Sequence, residues 1–355
     1  MKENFKKYSL NEARSAMLAL GCDRYRGDQV FKWIWQKGAL DFSVMTNLSR
    51  ELRESLSERY LVAGLSMAGA GQQGVGARQE GAGVRKYLLG AGDNEDVESV
   101  YIREARRRTV CVSCQVGCPL GCRFCATALL GFRRNLHAYE IADQVRLIQQ
   151  VTGTKCTNVV FMGMGEPLFN FNGVVGALEI ITSPLGLSIG RRHTTLSTVG
   201  LVEGMEALLR SSIRVKLAVS LNFADEEQRR EFMPAARHNR LQDILKVARA
   251  YSLRKERVTF EYVMIRHVND HVRDARRLIE LLKDVPSKIN LIPYNEHPLL
   301  PYKRPTDAVI ERFHGILLQS NHTVVIRKSR GQEILAGCGQ LSGADRVLTS
   351  SKTSV

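Results

Sequence analysis

The sequence predicts an α/β fold built on a parallel sheet, either a partial or full α/β barrel or an open doubly wound sheet. From about residue 108 onward, short segments rich in valine and isoleucine alternate with longer segments whose apolar residues recur at helical spacing. Repetition of this kind is typical of helices packed over strands that run in one direction. At 355 residues, the chain is long enough for one large domain and a smaller one.

Two shorter parts precede the alternating region. Residues 1–62 predict a helical accessory domain, because three segments there carry apolar residues at helical spacing. Residues 63–107 predict a glycine-rich loop and a small β-rich connector, since residues 64–83 hold seven glycines and two strand-like segments follow, "VRKYLLG" and "DVESVYIRE". The alternating region then covers 108–330, and residues 331–355 form a C-terminal segment.

The alternating region contains seven candidate strands and five candidate helices. The strands are "TVCVSC", "TNVVFMG", "HTTLST", "RVKLAVSL", "RVTFEYVMI", "SKINLIPY" and "HTVVIRK". The helices are "AYEIADQVRLIQQV", "VEGMEALLRSS", "LQDILKVARAYS", "VRDARRLIELLKDV" and "DAVIERFHGILLQ".

The net charge of +15 at pH 7 favours a polyanionic partner, nucleic acid, over a generally solvated basic surface. Basic clusters occur at residues 103–108, 132–135, 190–193 and 326–331. No apolar run approaches the length of a membrane span, and the N-terminal apolar stretch is too short for an export signal. We therefore expect a cytoplasmic protein without a membrane partner, whose clustered cysteines are ligands or catalysts rather than structural disulfides.

Five of the eight cysteines lie between residues 111 and 125. Cys118, Cys122 and Cys125 are spaced C-x3-C-x2-C, and no second C-x2-C pair lies at the longer separation of a four-cysteine zinc site, because the only cysteines outside residues 111–125 are Cys22, Cys156 and Cys338. Three thiolates from one loop suit three corners of a [4Fe–4S] cluster and leave one iron open to a substrate or cofactor. Cys114 as a fourth ligand would close the cluster; we expect it not to be a ligand, because it precedes the loop at the end of a strand.

The cysteine spacing, with Phe124 before the last cysteine, resembles the radical S-adenosylmethionine (SAM) superfamily. That resemblance implies that the open iron binds SAM, whose reductive cleavage gives a 5′-deoxyadenosyl radical. The pocket for SAM is then expected at the carboxyl ends of the strands, where polar residues and glycines follow several of them. The candidate cofactor-binding residues are Gly165, Glu166, Ser197, Ser220, Leu221, Asn222 and Asn295.

A narrower resemblance covers nearly the whole chain. "CVSCQVGCPLGCRFCATALLGFRRNL", "GMGEPLFN", "LSTVG", "LIPYN", "AGCGQL" and the N-terminal "RGDQVFKWIWQKGALDFSVMTNLS" resemble the RlmN/Cfr family of radical SAM RNA methyltransferases. The resemblance implies a partial (βα)6-type radical SAM barrel. It also implies methylation of C2 or C8 of an adenosine in 23S rRNA, with tRNA as a further candidate substrate. The sequence of the cysteine loop favours C2.

The resemblance also implies roles for three residues outside the cluster. Cys338 takes a methyl group from one SAM, and a second SAM, cleaved at the cluster, activates that methyl group for addition to the adenine. Cys111 then attacks the sulfur of Cys338 and releases the product as a disulfide forms, while Glu98 matches the proton acceptor. Two positions depart from the pattern, since Asn222 replaces a common histidine and Cys114 a common serine.

This interpretation implies two SAM molecules per turnover, an electron donor such as flavodoxin or ferredoxin, and a monomer. Two other functions stay open from the sequence. One is a radical SAM enzyme acting on a protein or small molecule, such as a glycyl-radical activating enzyme, which needs no Cys338. The other is a non-catalytic RNA-binding module stabilised by a metal.

Overall fold

Three helices make up most of the N-terminal region in the computed structural model, which describes residues 2–68, 78–81 and 83–342. Serine side chains begin two of them, because Ser9 and Ser49 accept hydrogen bonds from backbone N–H groups of the first turn. The elements are β1 (Glu3–Asn4), α1 (Leu10–Ala19), α2 (Arg24–Trp35), α3 (Arg50–Arg59) and β2 (Tyr60–Leu61), with β1 and β2 paired in parallel.

An antiparallel connector follows. Its strands are β3 (Ser66–Met67), β4 (Arg78–Gly81), β5 (Val84–Gly90) and β6 (Asp96–Arg103). Both β3 and β4 pair with β5, and β5 pairs with β6. Half of the predicted glycine-rich loop, residues 69–77 and 82, lies outside the described residues.

The barrel sheet grows directly from this connector. Its first strand, β7 (Arg108–Cys111), pairs antiparallel with β6, and the cysteine loop that follows carries the antiparallel strands β8 (Gln115–Gly117) and β9 (Phe132–Asn135). Six more strands then extend the sheet from β7, each parallel to its neighbour. They are β10 (Asn158–Phe161), β11 (Thr194–Thr198), β12 (Lys216–Ser220), β13 (Val258–Met264), β14 (Ser287–Pro293) and β15 (Thr323–Ile326).

Helices connect these strands. They are α4 (Ala138–Thr152), α5 (Phe171–Thr182), α6 (Val202–Arg210), α7 (Glu226–Phe232), α8 (Leu241–Arg254), α9 (Val272–Leu282) and α10 (Asp307–Leu317). Over the described residues the sheet runs from β15 to β3 without closing. The predicted partial barrel with its helical and β-rich additions is therefore confirmed, and all seven candidate strands are present; β15 extends the six-stranded barrel.

Two helices, α5 and α7, are not among the candidate helices from the sequence. The buried residues Val174, Ala177, Leu178 and Ile181 of α5 recur at helical spacing, but its two glycines and five β-branched residues lower the helix propensity of the segment. α7 has seven residues, just under two turns, which is too short for its apolar residues to show a helical repeat. None of the helices in the described part of the chain is both long and apolar enough to span a membrane.

A buried ionic network joins the N-terminal region to the barrel helix α4. The Asp143 carboxylate accepts hydrogen bonds from Lys6 Nζ at 2.8 Å and from the backbone N–H of Leu65 at 2.8 Å. It also accepts one from Arg146 Nε on the next turn of α4. The side chains of Lys6 and Asp143 are inaccessible to solvent, so each charge depends on the others for compensation.

We expect Asp143→Ala to lower the free energy of unfolding by about 3–5 kcal/mol, because it leaves two buried cations without their anion. Urea denaturation followed by circular dichroism measures this loss. Asp284→Ala removes an exposed aspartate at the end of α9 and is the matched control, expected to change stability by less than about 0.5 kcal/mol. Equal losses in the two variants would show that the network does not hold the domains together.

Candidate active site

Two cavities meet inside the barrel. The upper cavity, about 160 Å³, lies at the carboxyl ends of the strands and is lined by the cysteine loop together with Glu166, Ser197 and Ser220. The lower cavity, about 490 Å³, lies nearer the amino ends and is lined by Cys111, Arg327 and residues from the concave face of the sheet. Four residues line both cavities: Met162, Glu261, Cys338 and Leu341.

The cysteine loop brings three thiols to the upper cavity. Cys118, Cys122 and Cys125 all line it, and the charges of Cys118 and Cys125 both act on Cys122. Burial raises the pKa of the Cys118 thiol to about 12 and raises the pKa values of the other two thiols as well. The protein alone therefore favours neutral thiols here, and a bound cationic group would be needed to hold them as thiolates.

This donor set fits an iron–sulfur cluster better than a single ion. Within residues 2–68, 78–81 and 83–342, no three His, Cys, Asp or Glu side chains converge to hold one metal ion. The thiolates of a [4Fe–4S] cluster bind different corners of the cube, so they need not converge on one point. Three cysteines in one loop beside an open cavity could hold such a cluster and leave a corner facing the cavity.

Cys114 has a packing role that the sequence did not indicate. Its side chain is buried, lines neither cavity, and donates a hydrogen bond from Sγ to the carbonyl oxygen of Met164 at 3.6 Å. Its backbone N–H bonds to the same carbonyl, which joins the end of β7 to the turn after β10. Serine, common here in the family that the chain resembles, could make the same side-chain bond.

Glu166 is held at the edge of the upper cavity by backbone donors. Its carboxylate accepts hydrogen bonds from the N–H groups of Leu168 at 3.0 Å and Val199 at 2.9 Å. Burial nevertheless dominates and raises its pKa to about 7. Gly165 precedes it with φ 95°, and a side chain there would lie 2.5 Å from Cβ of Gln115, so glycine is required by both conformation and space.

The structure brings together most, but not all, of the predicted cofactor-binding residues. Gly165, Glu166, Ser197, Ser220 and Asn222 line the upper cavity. Asn222 lies in the left-handed region at φ 60°, which asparagine tolerates, and its Oδ1 accepts a bond from the N–H of Val263. Leu221 packs into the hydrophobic core instead and does not line the upper cavity.

Asn295 lies beside Cys338 rather than on the lining of the upper cavity. Its Nδ2 donates to the carbonyl oxygen of Cys338 at 3.0 Å, and its Oδ1 accepts from Gln332 Nε2 at 2.7 Å. The geometry therefore gives Asn295 a direct contact with the C-terminal segment, which sequence position at a strand end did not indicate.

Further bonds hold the C-terminal segment against the cysteine loop. The carbonyl of Gly339 accepts a bond from the N–H of Ala126 at 2.8 Å, and Thr127 Oγ1 donates to the carbonyl of Leu341 at 2.6 Å. These contacts, one and three residues after Cys338, help to place its half-buried thiol where the two cavities join. A residue more than two hundred positions away in sequence thus faces the cysteine loop.

Cys111 and Cys338 line the same lower cavity, with Arg327 between the sheet and the C-terminal segment. Burial and the neighbouring Cys338 raise the pKa of the Cys111 thiol to about 12, while Arg327 opposes the shift. Arg327 lies 3.6 Å from the Glu261 carboxylate, and its own pKa is raised chiefly by Cys338. Arg327 is not among the candidate site residues from the sequence, although it is a polar residue directly after a strand, β15.

Glu98 lies above the lower cavity, on strand β6. Val100 pairs with Cys111 in register, and Glu98 is two residues away, so the two β6 side chains point to the same face of the sheet. The Glu98 carboxylate is buried, lies 2.9 Å from Lys86 Nζ, and accepts a bond from the N–H of Ser342 at 2.9 Å. It therefore contacts the C-terminal segment four residues beyond Cys338, but it is not on the lining of either cavity.

Comparisons with known proteins match both the N-terminal helical region and the barrel. The model of the radical SAM superfamily matches residues 112–279, and the model of the ribosomal RNA large subunit methyltransferase N-terminal domain matches residues 4–62. A dual-specificity RNA methyltransferase RlmN from Geotalea uraniireducens is 43% identical over 343 residues, covering 96% of this chain and 97% of that protein. The RlmN of Geobacter sulfurreducens is also 43% identical, over 96% of this chain and 92% of that protein.

A solved structure agrees with these sequence relatives. The crystal structure of a radical SAM methyltransferase from Sphaerobacter thermophilus superposes with a TM-score of 0.88 at 36% identity. The match covers 96% of this chain and 99% of that one.

Proposed function

The chain belongs to the RlmN family of dual-specificity RNA methyltransferases, and we propose from this membership that it methylates C2 of an adenosine in 23S rRNA and in tRNA. One structural observation carries the proposal. Cys338 lies where the two cavities join, facing the three clustered thiols on one side and Cys111 on the other. A thiol in this position can exchange a carbon group with a cofactor above it and a substrate below it. The relatives are named RlmN, which favours C2 over the C8 alternative.

The radical SAM family implies a [4Fe–4S] cluster and SAM, and the upper cavity has residues that fit both. We assign the cluster to Cys118, Cys122 and Cys125, and contacts with SAM to Glu166, Ser197, Ser220 and Asn222 with the backbone of Gly165. When bound, the cluster and SAM supply a radical that abstracts hydrogen, and a second SAM in the same turnover supplies the methyl group. Asn295 supports this site indirectly through its bond to the Cys338 carbonyl.

The protein's own residues then act in sequence. The Cys338 sulfur carries the methyl group and holds it at the junction of the cavities, where its carbon becomes joined to the ring carbon of adenine. Glu98 accepts the proton that this ring carbon loses, and the unpaired electron left on the adduct would pass to the bound cluster, which would serve as the one-electron acceptor. The Cys111 thiolate attacks the Cys338 sulfur; an S–S bond forms while the bond from sulfur to the transferred carbon breaks. That carbon keeps the electron pair and takes up a proton, which completes the new methyl group.

The burial of Glu98 and Cys111 explains why both need partners for this work. Lys86 offsets the negative charge of Glu98, and Arg327 opposes the effect of burial on Cys111. The resulting disulfide must be reduced before the next turnover, so a reducing cytoplasm is part of the proposal. An electron donor such as flavodoxin or ferredoxin and a monomeric enzyme belong to it as well.

We expect Cys122→Ala, purified without oxygen, to lose most of its iron, because two thiolates from one loop cannot hold three corners of a cluster. Iron and sulfide content per chain measures this loss. Cys114→Ser is the matched control within the same loop and is expected to keep wild-type iron, since serine can also donate to the Met164 carbonyl. Loss of iron in Cys114→Ser would instead support a fourth cysteine ligand.

The function is tested by incubating the reconstituted enzyme with 23S rRNA fragments or tRNA, SAM labelled in its methyl group, and a reductant. Digestion to nucleosides and chromatography against 2-methyladenosine and 8-methyladenosine standards identifies the product. We expect labelled 2-methyladenosine from both RNAs. Labelled 8-methyladenosine would overturn the assignment to C2, and the absence of any labelled adenosine from either RNA would overturn the proposed function.

A further inference from the structure

Three of the four basic clusters in the sequence converge on the lower cavity. Arg107, from residues 103–108, and Arg330, from residues 326–331, both line it. Residues 190–193 lie beside its rim, because His193 is within hydrogen-bond distance of Asn158, which lines the cavity at the start of β10. No lysine or arginine among the described residues lines the upper cavity.

Two lysines at the mouth of the lower cavity are available to bind an anion. The cavity's arginines are already paired, since Arg107 and Arg330 share Glu104 at 2.9 and 3.5 Å, and Arg327 pairs with Glu261. Lys216, at the start of β12, and Lys328 are exposed and have no carboxylate partner in the described part of the chain. The mouth therefore carries unbalanced positive charge.

The interior of the lower cavity is polar, which is unusual for a barrel. Barrel interiors are normally filled with branched apolar side chains. Here five strands each contribute a threonine or an asparagine to the lining: Thr109, Asn158, Thr195, Thr259 and Asn290. Such side chains offer donors and acceptors to the edges of a base, and about 490 Å³ is within the usual range for a pocket that encloses a small molecule.

We propose that the lower cavity receives the extruded adenosine of the RNA, and that Lys216 and Lys328 bind the phosphates on either side of it. The inference rests on the proposed function and adds where and how the RNA docks. A base inside a folded RNA must leave its stack to reach a buried thiol, while its phosphates stay outside. The RNA then approaches the barrel at the mouth of the lower cavity, away from the cysteine loop, and the two reacting thiols lie above the base.

The first test measures RNA affinity by fluorescence anisotropy at several salt concentrations, with a labelled substrate RNA and no SAM. We expect Lys216→Gln and Lys328→Gln each to weaken binding roughly five- to tenfold near 0.1 M salt. Each should also make the slope of log K against log salt shallower by about 0.7–0.9. Lys246→Gln removes an exposed lysine from the outer face of α8 and is the matched control, expected to bind as the wild type does. Unchanged slopes in both mouth variants would overturn the docking site.

The second test fills the cavity. We expect Thr259→Phe to lower RNA methylation by about 100-fold, because the base can no longer reach the thiols. The phosphate contacts remain, so its salt slope should stay that of the wild type, and methyl transfer from SAM to Cys338 should persist in a peptide mass assay. Wild-type RNA methylation by this variant would overturn the pocket; if the variant does not fold, Ala218→Leu on the neighbouring strand β12 makes the same measurement.

The two proposals fail in different ways. A wild-type enzyme that methylates no RNA under these conditions would contradict the proposed function. A wild-type enzyme that methylates RNA, with variants of both lysines and of Thr259 equal to it, would contradict only the docking inference.

Discussion

Cys338→Ala is expected to abolish adenosine methylation, lowering it by at least about 10³-fold, because no other described thiol lies where the two cavities join. The loss should come from chemistry rather than from folding, since Cys338 is half-buried and the bonds that hold its segment use backbone groups of its neighbours. Transfer of labelled methyl from SAM to RNA measures the effect, and iron content shows whether the cluster is still held.

Cys156→Ala is the matched control for this variant. Cys156 is also buried, just before β10, but lines neither cavity, so methylation should stay near the wild-type level. Full activity in Cys338→Ala would contradict the methyl-carrier role. It would favour a radical SAM reaction that needs neither Cys338 nor Cys111.

Cys111→Ala is expected to trap RNA covalently on the enzyme. The methyl carbon can still pass from Cys338 to the adenine ring, but no thiol is then placed to attack the Cys338 sulfur and break its bond to that carbon. Denaturing gels should show protein that carries RNA, and mass analysis after nuclease and protease digestion should place the nucleotide on the peptide that contains Cys338. Release of methylated RNA should fall by at least about 10³-fold.

The double variant Cys111→Ala/Cys338→Ala is the control for this trap. It lacks the sulfur that would carry the adduct, so no covalent complex should form even though the cavity is unchanged in shape. A covalent complex in the double variant would show that another residue carries the RNA. A Cys111→Ala enzyme that releases methylated RNA at the wild-type rate would show that Cys111 does not complete the reaction.

Much of the fold could be predicted because its local patterns are strong. Seven strands, most of them rich in valine or isoleucine, lie at their predicted places, and the first turns of α1 and α3 follow serine caps. α5 was not predicted because its two glycines and five β-branched residues weaken the helical signal of its sequence. Residues such as Asn295 show a second limit, because position at a strand end does not specify which neighbour a side chain will reach.

In the site, the cysteine loop and the glycine turn before Glu166 could be predicted from residues that are neighbours in sequence. Three thiols within eight residues must lie close together in any fold, so their spacing alone indicated a cluster. The roles proposed for Cys111 and Cys338 come from resemblance to a family. Nothing in the residues near either one brings together two thiols so far apart in sequence.

The sequence by itself therefore determined the α/β class, the order of the strands and the three clustered thiols, because strand period and loop spacing depend on neighbours along the chain. Only the tertiary structure decided that Cys338 lies where two cavities join, that Arg327 is close to both Cys111 and Cys338, and that three distant basic clusters lie at or beside one cavity. These arrangements depend on how the C-terminal segment crosses the open side of the barrel. That path is set by long-range contacts such as Ala126 with Gly339 and Glu98 with Ser342.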